Sequence, residues 1–64
     1  MDKIELGMLT DIQISKGREM LIYMFIGRFG DRLSKDVIIE MKEQADKERQ
    51  TINKLTNKLS NRLK

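Results

Sequence analysis

SKDVIIEMKEQADKERQTINKLTNKLSNRLK, residues 34–64, holds neither glycine nor proline and carries one apolar seam. Ile38, Met41, Ala45, Ile52, Leu55 and Leu59 fall at alternating steps of three and four; Glu48 takes one beat, and Leu63 ends the series. That spacing lays the apolar groups along one narrow stripe of a helix, the pattern that buries against another helix. About half of the 64-residue chain is then a single helix that cannot cover its own stripe. What covers it is the central question for both fold and function.

The preceding residues supply one candidate. Phe29-Gly30-Asp31-Arg32-Leu33-Ser34 punctuates the chain once. Gly30 suits the left-handed position after a helix end. Ser34 suits an N-cap, with Asp36 in the first turn, where the helix dipole favours negative charge. A connection this short favours antiparallel neighbours. The spacing predicts an all-α chain, an antiparallel two-helix hairpin over residues 10–64: helix 10–29, turn 30–34, helix 35–61. Thr10 and Gln13 have capping-box spacing and mark the start. Residues 1–9 read as an N-terminal tail broken at Gly7, with Met8 and Leu9 packing only as a tail.

Helix one differs in character from helix two. Met20 to Ile26 runs without a polar interruption, so apolar groups point nearly all round. One face carries Ile14, Leu21, Met24 and Phe25; another carries Ile12, Ile22, Ile26 and Phe29. A helix apolar on two faces is buried on two faces, and a lone hairpin partner covers one. Dimerisation into a four-helix bundle is therefore expected. Leu21, Met24, Phe25, Ile38, Met41, Ala45 and Ile52 would form the intrachain core, and Ile22, Ile26 and Phe29 the self-association surface.

Size and composition narrow the function. A 64-residue chain is one domain in the range where a core needs a staple. There is no cysteine and no histidine. Disulfides, soft-metal sites and the commonest general base are thus absent. No loop shows the alternating carboxylates of a calcium site, so neither a metal nor a cofactor is expected. The longest apolar run, seven residues, falls well short of the ~20 needed to span a membrane, and no secretory signal is visible. The expectation is a cytoplasmic protein.

Residues 1–33 hold five bases and five acids; residues 34–64 hold eight bases and five acids, giving the net +3. From Arg49 to Lys64 there is no acid. Arg49, Lys54, Lys58 and Arg62 could contact phosphates of a nucleic acid, although bases also gather at helix C-termini for dipole reasons alone. Asp36, Glu40, Glu43, Asp46 and Glu48 read as surface charge, with Glu43 and Lys47 at pairing distance along the helix. Glu48 itself reads as local loosening of the seam, or else as a polar seam residue that fixes register by pairing with a base. With helix one exhausted, Ile52, Leu55, Leu59 and Leu63 are expected to stay available for a protein partner. The methionines Met8, Met20, Met24 and Met41 suit either core filling or an adaptable binding surface.

Arg18, Met20, Leu21, Gly30, Ser34, Val37 and Ile38 stand in an order that resembles the Spo0E-like aspartyl-phosphate phosphatases of sporulating bacteria, small two-helix hairpins. The resemblance implies a bacterial regulatory hairpin, with Asp46 at the position of the family's motif aspartate. Its Ser-Gln-x-Leu-Asp motif corresponds here to Lys42-Glu43-Gln44-Ala45-Asp46, which departs at the serine and lies one residue too far from Val37. The residues therefore point first to a small non-enzymatic regulatory protein that binds a larger macromolecular partner. A nucleic-acid-binding dimer and a response-regulator phosphatase are the alternatives.

Overall fold

A computed structural model describes all residues, Met1–Lys64, as two long helices joined by a tight turn. Helix α1 spans Lys3–Phe29 and α2 spans Lys35–Leu63, with a single 3-10 turn over Gly30–Arg32 between them. They pack antiparallel into a rod with principal extents of 45 × 15 × 13 Å. At 1.5 Å per residue each helix runs the length of that rod. No helix is long and apolar enough to cross a membrane.

The start of α1 is the first correction. Residues 3–9 are helical rather than a tail, and the capping box lies at Asp2 and Glu5 rather than at Thr10 and Gln13. Asp2 Oδ1 accepts from the Glu5 N–H at 2.8 Å, and Glu5 Oε1 accepts from the Asp2 N–H at 3.0 Å. Thr10 instead sits inside the helix, its hydroxyl donating to the Leu6 carbonyl at 3.0 Å. Gly7 costs a helix interior about 1 kcal/mol. The cap and the burial of Met8, Leu9 and Ile12 against α2 offset it.

The turn is the second correction. Gly30 adopts a right-handed backbone, φ −57° and ψ −34°, and no residue has a positive φ. The chain leaves α1 by tightening: the Gly30 N–H donates to the Ile26 carbonyl, and the Leu33 N–H donates to Gly30 at 3.3 Å. Ser34 caps α2 as its residue type suggests, its hydroxyl accepting from the Val37 N–H at 3.3 Å.

Between the helices lies one continuous seam. On α2 it comprises Ile38, Met41, Ala45, Glu48, Ile52, Leu55 and Leu59, all buried or half-buried. On α1 it comprises Glu5, Met8, Ile12, Ser15, Glu19, Ile22 and Ile26, again at steps of three and four. This is an antiparallel coiled-coil hairpin. Its best-packed part lies at the open end, where Ile12, Ile52 and Leu59 form the core with Met8, Leu9 and Leu55 against it.

Candidate interaction surface

The middle of the seam is polar, and its geometry explains why Glu48 interrupts the apolar series. Arg49 Nε donates to Glu19 Oε2 at 2.8 Å while its Nη2 donates to Glu19 Oε1, a two-pronged pair of the kind a planar guanidinium favours. One residue back on each helix the charges are reversed: Arg18 Nη1 lies 3.6 Å from Glu48 Oε1. Glu19 and Glu48 sit in the seam, and each meets a base from the facing helix. The adjacent carboxylate holds the Arg49 guanidinium above its ordinary value, chiefly through that hydrogen bond. The seam does not loosen at Glu48, which acts as the polar seam residue; both pairs form only in this antiparallel register.

A third cross-chain pair closes the open end, Arg62 Nη2 to Asp2 Oδ2 at 3.1 Å. Asp2 is held below the usual carboxylate range, first by the Glu5 N–H and then, against some desolvation, by Arg62.

These pairs bear on the basic end of α2. Arg49 and Arg62 are engaged by Glu19 and Asp2, which leaves Lys54 and Lys58 as the residues of that group outside any ion pair. Asp46 is exposed. No group of three or more acidic side chains is placed to hold a metal ion.

The apolar residues redistribute between faces. Ile52 and Leu59 are buried and Leu55 is half-buried, so the stretch expected to await a partner is covered by the first three turns of α1. Only Leu63 remains exposed. Ile22 and Ile26, read as the self-association surface, are half-buried and belong to the intrachain seam. Conversely, Leu21, Met24 and Phe25, read as core, stand 65%, 51% and 47% exposed. The two faces of α1 are exchanged. A helix turns ~100° per residue, so the seam that passes through Ile12, Ser15 and Ile22 turns Ile14 and Leu21 outward.

The result is a second apolar stripe on α1, facing away from α2. It runs Leu6, Thr10, Ile14, Gly17, Leu21, Met24 and Arg28 in steps of four or three. Phe25 and Phe29 flank it, their ring centroids 4.8 Å apart and tilted by 47°. Leu21, Met24, Phe25, Arg28 and Phe29 line a shallow, mainly apolar depression there. Phe29, exposed at the end of α1, is the one member of the expected self-association set that borders this surface. A three-four series through Ile12, Ser15, Glu19 and Ile22 also runs the whole of α1, but its polar members Ser15 and Glu19 leave it no stronger as a burial signal than the series through Ile14, Leu21 and Met24.

No family model, curated protein or solved structure matches the chain.

Proposed function

We propose that this chain is a small non-enzymatic regulatory protein, a helical hairpin that dimerises and acts by binding a larger protein. The observation that carries this reading is the outer stripe of α1. A hairpin with one apolar face satisfied and a second, of comparable length, left in solvent is built for association. Occupying a surface on a larger protein, and so blocking or tethering it, requires no catalytic group. The charged groups within the seam are engaged in inter-helix ion pairs, which gives them a structural part in holding the hairpin together. The methionines Met20 and Met24 on this side suit a surface that adapts to a partner.

The test is capture from a native lysate by the immobilised chain and by its Leu21→Glu, Phe25→Glu double variant. Both the protein and the nucleic-acid content of the eluate are measured. The expected outcome is a discrete protein retained by the parent chain and lost with the variant. Retention of nucleic acid that falls steeply with salt and survives the double substitution would overturn the reading and point to Lys54 and Lys58 instead.

A further inference from the structure

The outer stripe of α1 is complementary to itself when turned end for end. Pairing it antiparallel about a two-fold axis level with Glu19 sets residues at equal and opposite steps against each other. Ile14 then meets the partner's Met24, and Thr10 meets the partner's Arg28. Leu21 meets the partner's Gly17. A side chain at Gly17 would touch nothing within 4 Å in the hairpin, so the glycine leaves a dent in the stripe. Leu21, the most exposed of the large apolar residues of the stripe, is a knob of matching size. We propose that a second copy of this chain seats on the outer face of α1 in this antiparallel register, each Leu21 filling the gap over its partner's Gly17.

Charge favours the same arrangement. Asp11 and Arg28 belong to none of the ion pairs within the hairpin. Antiparallel pairing brings Asp11 of one copy beside Arg28 of the other, twice per dimer. Parallel pairing would oppose the two Arg28 side chains. The equal numbers of acids and bases in residues 1–33 argue for a protein surface over an anionic bilayer, which selects a basic polar face.

Area gives the third argument. The hairpin exposes 5189 Å². A compact monomer of 7.5 kDa exposes about 4,250 Å² on the usual mass scaling. The excess, about 900 Å², reflects the 45 × 15 × 13 Å rod, in which the outer face of α1 lies open along its length to a second copy. A larger partner captured through Leu21 and Phe25 would take the place of the second copy on this face.

This inference rests on the reading of the hairpin as a binding module and adds the identity of one occupant. It is tested by sedimentation equilibrium of the full chain from micromolar to hundreds of micromolar, with helicity followed by circular dichroism. The parent is expected to move from 7.5 kDa to twice that mass. Gly17→Leu fills the dent while removing a glycine from a helix interior, so the hairpin keeps its helicity and dimerisation weakens about tenfold or more. Arg28→Asp weakens the dimer, and adding Asp11→Arg restores it. A parent that stays monomeric throughout overturns the proposal, as does a Gly17→Leu chain that associates as well or better, the result expected of unspecific adhesion. Stronger binding of a monomeric Gly17→Leu chain to phosphatidylcholine vesicles would overturn it too. A monomer that still loses its captured partner with Leu21→Glu, Phe25→Glu would overturn the dimer alone and leave the binding-module reading standing.

Discussion

Ala45, 1% exposed, is the most buried residue of the hairpin and one of two small groups, with Ser15, that keep the helices close. Close packing makes such positions intolerant of added volume. Ala45→Leu should cost about 1–3 kcal/mol, read as a fall in the urea midpoint. Ile52, at 3%, is the opposite case. Truncating it to alanine leaves a cavity and should cost about 2–5 kcal/mol, a large share of the ~5–15 kcal/mol typical of whole domains. Asp2 introduces a pH dependence. Its folded-state pKa is lowered, so the stability it contributes is present above the unfolded value of about 3.8 and is lost as pH falls through and below it. Thermal midpoints taken from pH 5 to pH 2 should therefore drop, and Asp2→Asn should flatten that drop. Asparagine keeps a capping oxygen but carries no charge to titrate or to pair with Arg62.

At the scale of the element, each helix is defined by its ends and by one seam. Ser34→Ala removes the oxygen that satisfies the Val37 N–H and should cost about 1 kcal/mol, with faster amide exchange confined to the first turn of α2. The polar layer at Glu19, Arg49, Arg18 and Glu48 divides the seam into two apolar blocks and opposes any slip of one helix along the other, because a one-heptad shift would strand its charges. Glu48→Leu completes the apolar stripe and should raise the urea midpoint while weakening that constraint on register. A lowered midpoint would mean that the pair with Arg18 contributes more than apolar burial does. The start of α2, its cap at Ser34 and its seam from Ile38 to Leu59 were legible because a regular three-four series without glycine or proline has one helical solution; the helix runs to Leu63 rather than 61, and Leu63 itself lies off the seam. The start of α1 was not legible. Gly7 looks like a breaker when read locally, and only the apolar contacts of Met8 and Leu9 with α2 show why the helix continues through it.

For the whole molecule, the consequence of two apolar stripes on one helix is that stability and association are linked. If the outer stripe of α1 pairs two chains, the apparent melting temperature should climb with chain concentration, and Leu21→Glu should abolish that climb while preserving the helicity of the dilute chain. The sequence by itself determined that the protein is two helices, that they fold back on each other, and that α1 has more apolar surface than one partner can cover. Those conclusions follow from spacing, caps and counting. Which face of α1 turns inward was decided only in the tertiary structure. Both faces are apolar, so hydrophobic burial barely distinguishes them; a rotation of ~100° per residue separates Ile22 from Leu21. The choice is made by features far apart in the chain: Glu19 meeting Arg49, Glu48 meeting Arg18, and Met8 and Ile12 reaching Ile52 and Leu59. These contacts join residues thirty or more positions apart, and pattern along a single helix carries no information about them.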